Sequence, residues 1–139
     1  MFKKILVPLD GSRLAEKVLP QVEKISRCCQ PEVHLFQVVV TYEIEPAKEK
    51  EERARLLREA WQYLEKVAAR LRKKKIKAHA VVAYGKDAVH ICEYARKNKL
   101  HLIAMATHGR SGFSRWALGS VADKVLNCSQ VPVLLVRVS

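Results

Sequence analysis

A chain of 139 residues carries 49% apolar residues and a formal net charge of +12. That length suits one folded domain with an adequate core, and the apolar share excludes a disordered chain. No apolar run approaches the roughly 20 residues that a membrane helix needs, and the apolar start is too short for a signal peptide, so a cytoplasmic protein is expected.

Residues 5–9 (Ile-Leu-Val-Pro-Leu) form a short apolar run, expected as the first strand. Asp10-Gly11-Ser12 reads as a turn with Ser12 as helix N-cap. The first helix follows, with Ala15, Val18, Leu19, Val22 and Ile25 on one stripe. Pro20 falls inside that pattern, so a kink is expected there. Residues 33–40 read as the second strand, and 42–48 as a polar connection. A long helix then runs to about residue 75, with Leu57, Ala60, Trp61, Leu64, Val67, Ala68 and Leu71 turned inward. Residues 76–83 alternate apolar with polar, which predicts a half-exposed strand at a sheet edge. Gly85-Lys86-Asp87 turns the chain, with Asp87 as N-cap of a third helix. Residues 100–106 and 131–138 read as strands four and five. Helix four lies between them, with Ser120 as N-cap and Asp123 completing a capping-box variant. Strict alternation of strand and helix predicts a parallel sheet covered on both faces.

Charge and cysteine usage narrow the function classes. Residues 48–75 hold eleven Lys or Arg against five Glu, and so supply six of the twelve excess charges. They lie opposite an apolar stripe, which predicts a solvated helix face and no specific nucleic-acid interface. The four cysteines, Cys28, Cys29, Cys92 and Cys128, form no C-x-x-C pair, and they read as buried or half-buried thiols in a reducing compartment. His34, His79, His90 and His101 show no metal-ligand spacing. Neither a Walker A loop nor a dinucleotide G-x-G-x-x-G follows strand one. No base or nucleophile pair stands out, so no dedicated catalytic centre is expected. A weak hydrolytic activity stays open.

The richest stretch is residues 104–121, AMATHGRSGFSRWALGSV. An apolar run, Leu102-Ile103-Ala104-Met105, stops at a loop bearing Gly109, Arg110, Gly112 and Arg115. The loop ends at Gly119-Ser120, where an apolar helical pattern begins. A strand, a glycine loop and a helix start make an anion-binding arrangement. Glycines admit an anion to backbone N–H groups, and the helix N-terminus adds partial positive charge.

Gly109, nine intervening residues and Gly119-Ser120 resemble the G-x2-G-x9-G-[ST] signature of the universal stress protein family. The resemblance extends to Ile5-Leu6-Val7-Pro8-Leu9-Asp10-Gly11-Ser12, the long helix, Gly85 and the terminal apolar run. One position departs from it: Ala106 stands where the signature begins with Gly. A strand end ordinarily has negative φ, so one methyl there is expected to leave nucleotide binding intact. The resemblance implies a doubly wound, Rossmann-like sheet of order 3-2-1-4-5. In such sheets ligands bind beyond the strands' carboxyl ends, where strand order reverses. It also implies an adenine nucleotide, ATP with Mg2+ or Mn2+ on its phosphates. Asp10 and Val38 would hold the adenosine part. Gly109, Gly119, Ser120 and Val121 would hold the phosphates. Pro8, Met105 and Ala106 would line the same crevice, and Arg110 stands near enough in sequence to reach phosphate. The expected role is a stress-response sensor, switch or protective factor. The expected assembly is a homodimer through strand five, whose Val133-Leu134-Leu135-Val136 carries no charge. The alternative is a dimeric interaction module of the same fold that has lost its nucleotide.

Overall fold

A computed structural model describes residues 2–40, 47–108 and 119–138. Five strands, β1 (Lys4–Pro8), β2 (Glu32–Val39), β3 (Lys77–Tyr84), β4 (Leu102–His108) and β5 (Val133–Val138), form one sheet. Its order is β3-β2-β1-β4-β5, and every neighbouring pair is parallel. Four helices, α1 (Leu19–Cys29), α2 (Glu49–Lys73), α3 (Asp87–Lys97) and α4 (Ser120–Cys128), cover it. The central strands are buried on both faces, which explains their unbroken apolar runs. Ile5, Val7, Val33 and Leu35 pack with Val18, Val22, Leu64, Val67 and Leu71 on the α1–α2 side. Leu6, Phe36, Ile103 and Met105 pack with Ala88, Ile91, Ala122 and Val125 on the α3–α4 side. As expected from its alternation, β3 is an edge strand.

Several local expectations are corrected. Pro20 kinks nothing. A 3-10 turn, Ala15–Val18, precedes α1, and Pro20 lies in the first turn of α1, where its missing N–H has no helical partner to lose. Trp61 is 51% exposed and does not face inward. It stands one residue, about 100° of helix, off the Ala60–Leu64–Val67–Leu71 stripe that α2 buries. Lys86, and not Asp87, is the N-cap of α3. Asp87 is its first residue, and its Oδ1 accepts the Ala88 N–H at 2.7 Å. Leu100 does not begin β4. Lys99 takes a left-handed φ of 54°, and the Leu100 N–H donates to the Ala95 carbonyl at 2.9 Å. This is a Schellman stop for α3, with apolar Leu100 folded back on Ala95. Lys75 (φ 66°) and Ile76 close α2 in the same way, with the Ile76 N–H on the Leu71 carbonyl at 3.1 Å.

The cysteine expectation is corrected too. Cys92 of α3 and Cys128 of α4 form a disulfide across 36 residues of sequence, while Cys28 and Cys29 remain thiols, with Cys28 exposed and not buried as expected. Packing of α3 on α4 brings the first pair together, and linear spacing gave no sign of it.

The basic α2 presents its charge to solvent, threaded with ion pairs. Arg55 engages Glu52 and Glu59, Arg72 engages Glu65, and Lys74 engages Glu23. Among the described residues no helix is long and apolar enough to cross a membrane.

Candidate functional site

Strand order reverses between β1 and β4, and there the carboxyl ends of the strands open into a cavity of about 880 Å³. Pockets for small ligands run to roughly 300–1,000 Å³. Eight residues singled out from sequence, Pro8, Asp10, Val38, Met105, Ala106, Gly119, Ser120 and Val121, line this one cavity. Gly109, Arg110 and the rest of 109–118 lie outside the described residues.

The turn after β1 is ordered by its own short side chains. Asp10 Oδ1 accepts the Ser12 N–H at 2.9 Å, and Ser12 Oγ accepts the Ala15 N–H at 3.1 Å. Ser12 is not the helix N-cap expected of it: the 3-10 turn is capped at Leu14 and α1 at Val18, neither by a side chain, and the Ser12 contact orders the turn that precedes them. Gly11 has φ +88°, a left-handed value that L side chains adopt at a cost. The exposed Asp10 carboxylate keeps further acceptor capacity toward the cavity.

The other wall is the end of β4 and the start of α4. Ala106 pairs with Val136 inside β4 and is not among the positive-φ residues, so a methyl strains nothing there. Thr107, 3% exposed, accepts the Gly119 N–H on Oγ1 at 3.0 Å. Gly119 is the N-cap of α4, in extended conformation, and its carbonyl accepts the Asp123 N–H at 2.9 Å. The capping box expected of Ser120 and Asp123 is therefore absent. Ser120 is the first helical residue, with no side-chain cap bond at this end. Its hydroxyl and the N–H groups of Ser120, Val121 and Ala122 precede the first intrahelical donor. They form the positive end of the helix dipole, and the three residues line the cavity.

Residues that sequence reasoning did not single out complete the walls: Tyr63 and Ala60 from α2, Ile91 and Asp87 from α3, and Thr107. Thr107 carried one usable signal, a hydroxyl at the end of an apolar run just before a glycine loop. Tyr63 is held by a partner on the 3-10 turn. Its hydroxyl donates to Glu16 Oε2 at 2.9 Å, and Arg70 donates to Glu16 Oε1 at 2.5 Å. Burial works to raise the Glu16 carboxyl, but the hydrogen bonds from Arg70 and Tyr63 outweigh it and leave Glu16 below its ordinary value. Burial, then the Glu16 hydrogen bond, pushes the Tyr63 phenol well above its own. Tyr63 is therefore a neutral donor that ties α2 to the turn beside the cavity. Asp10, Glu59 and Asp87 bring carboxylates to the lining, yet no group of three or more His, Cys, Asp or Glu among the described residues could hold a metal.

The chain belongs to the universal stress protein family, whose model matches residues 1–137. A universal stress protein of Methanocaldococcus jannaschii is 34% identical, over 99% of this chain and 83% of its own length. Universal stress protein YxiE of Bacillus subtilis is 32% identical, over 99% of this chain and all of its own. The solved structure of another Methanocaldococcus jannaschii member superposes with TM-score 0.86 at 31% identity, covering 100% of this chain and 98% of that one. Two more distant structures share the fold. One, from Arabidopsis thaliana with AMP bound, has TM-score 0.72 at 15% identity and covers 99% and 92% of the two chains. The other, a universal stress protein in complex with cAMP, has TM-score 0.66 at 20% identity and covers 99% and 98%.

Proposed function

We propose that this universal stress protein binds an adenine nucleotide, ATP with Mg2+ or Mn2+ on its phosphates, in the crevice between β1 and β4. It acts as a single cytoplasmic nucleotide-binding domain in a stress-response sensor, switch or protective factor. One observation carries the reading: eight residues picked by motif, from four separate elements, line one cavity at the reversal point of a doubly wound sheet. The AMP and cAMP held by two distant relatives support the choice of adenine.

Asp10 and the Val38 backbone take the adenosine part, against the apolar Met105. The α4 start, Gly119 to Val121, takes the phosphates through N–H groups and the Ser120 hydroxyl; Gly109 and Arg110, outside the described residues, are further phosphate ligands in this reading. A cation there would be bound chiefly by phosphate oxygens and water, as Mg2+ usually is. Such an ion would supply neutralisation of phosphate charge.

The second element of the reading is a homodimer. β5 is the sheet edge opposite β3, and Val133, Leu134, Leu135 and Val136 are only half-buried by their own chain. Pairing with a second copy about a two-fold axis would cover them.

Calorimetric titration of the purified protein with ATP tests the site. Saturable binding is expected, and Asp10→Ala should weaken it at least tenfold. A protein stripped of nucleotide that takes up no ATP would overturn this reading in favour of a nucleotide-free interaction module.

A further inference from the structure

The two helices joined by the Cys92–Cys128 disulfide both line the cavity. Ile91, the neighbour of Cys92, lines it from α3, and Ser120 and Val121 line it from α4. Cys128 is the last residue of α4, a helix of nine residues and about 14 Å. The ring closed by the bond runs from residue 92 to residue 128 and contains β4 and all of α4. α4 otherwise packs through Ala122 and Val125, in one apolar cluster with Ala88, Ile91 and Ala95 of α3 and Ile103 and Met105 of β4. Cys128 is exposed, so a thiol in solution can reach it, whereas Cys92 is half-buried.

We propose that this disulfide is a reversible redox site that clamps α4 and thereby sets the affinity of the crevice for its anionic ligand, an inference that rests on the nucleotide reading above. In the oxidised state α4 is fixed at its far end, and the N–H groups of its first turn are held in register with the cavity. Reduction proceeds by thiol–disulfide exchange with a small dithiol. One thiolate attacks the exposed Cys128 Sγ, and Cys92 leaves as thiolate. The second thiolate of the reductant then attacks the mixed disulfide and releases Cys128. The reductant ends as its own disulfide, and the protein gains two electrons and two protons as two thiols. The freed α4 keeps its Thr107–Gly119 bond and its apolar footing but loses its covalent tie to α3, so its first turn is less firmly pre-organised for phosphate. The ordering must then be supplied on binding, which weakens affinity.

The test compares fully oxidised protein with protein reduced by dithiothreitol. Redox state is verified by mass and thiol count, in a Cys28→Ser, Cys29→Ser background that removes the other two thiols. ATP affinity and amide hydrogen exchange are measured on both forms. Reduction is expected to raise the ATP Kd at least fivefold, within the usual range of coupling between sites, and to speed exchange of the α4 amides. Further replacement, Cys92→Ser with Cys128→Ser, should fix the affinity at the reduced value and abolish the response to dithiothreitol. Equal Kd and equal exchange in the two redox states would overturn the proposal. If the oxidised protein binds no ATP, the nucleotide reading fails instead, and the α4 exchange rates alone decide whether the clamp exists.

Discussion

Thr107→Val isolates the contact that joins the two ends of the glycine loop. Thr107 Oγ1 accepts the Gly119 N–H at 3.0 Å, and Thr107 is 3% exposed. Valine has nearly the same shape, so the exchange opens no cavity and removes only the acceptor. The Gly119 N–H is then left facing a methyl. A fully buried donor without a partner costs about 1–3 kcal/mol, and half-buried Gly119 falls at the low end of that range. With a urea slope of about 1–3 kcal/mol per molar, a loss of about 1 kcal/mol lowers the midpoint by roughly 0.5 M. Thr107→Ser is the control. It keeps the hydroxyl and loses one methyl, for about 0.5–1.5 kcal/mol. The two variants separate further in binding, because the bond pins residue 119 to the end of β4 and so sets the entry of α4 to the cavity. Thr107→Val is expected to raise the ATP Kd about tenfold over Thr107→Ser, equivalent to about 1.4 kcal/mol. Urea titration and calorimetry on both variants make the measurement. If Thr107→Val matches Thr107→Ser in both midpoint and Kd, the hydrogen bond does not position α4, and the reasoning fails.

Other predictions address fold and assembly. Lys99→Gly should stabilise by about 0.5–1 kcal/mol in a thermal melt, since glycine takes the left-handed φ of 54° without a Cβ penalty; a loss of stability would contradict the Schellman stop assigned to α3. Leu135→Lys should convert a dimer to monomer in sedimentation equilibrium, by placing like charges near the two-fold axis. A dimer that survives this change and fails on altering α2 would move the interface off β5. Burial depresses the His34 imidazole below its ordinary value, against the raising influence of Glu32. The unfolded chain therefore takes up that proton first as pH falls. This contribution is complete above about pH 6.5 and is lost as pH drops through that value toward the folded one. His34→Gln should flatten the fall of the urea midpoint between pH 7.5 and 5.5, and an unchanged slope would remove His34 from the account.

Much of the fold was legible because buried parallel strands read as apolar runs and α2 as a long stripe. What pattern alone did not supply was strand order, which came with the family resemblance. Misread positions share a cause: a backbone demand that side-chain chemistry conceals. Leu100 is apolar beside a strand, yet it serves as the hydrophobic residue of a helix stop made by a left-handed lysine. Pro20 reads as interior to a helix that in fact begins beside it. Trp61 has an apolar side chain and the wrong helical angle.

The candidate site divides along the same line. On the β1 side the ordering contacts are local, from Asp10 to Ser12 and from Ser12 to Ala15, no more than three residues apart. Such contacts are written into neighbouring residues and can be read there. On the α4 side they are distant, Thr107 to Gly119 across twelve residues and Cys92 to Cys128 across thirty-six. A glycine spacing can mark where a ligand's phosphates would lie, but not what holds the loop's ends. Ala106 illustrates the difference. The missing glycine departs from the signature, yet its place at a strand end already predicts a negative φ that tolerates a methyl. Within β4 the residue has ordinary strand geometry and pairs with Val136, so the methyl meets no backbone obstacle. Long-range contacts therefore govern the half of the crevice where charge must be met, and that half is where a single bond between α3 and α4 has leverage on binding.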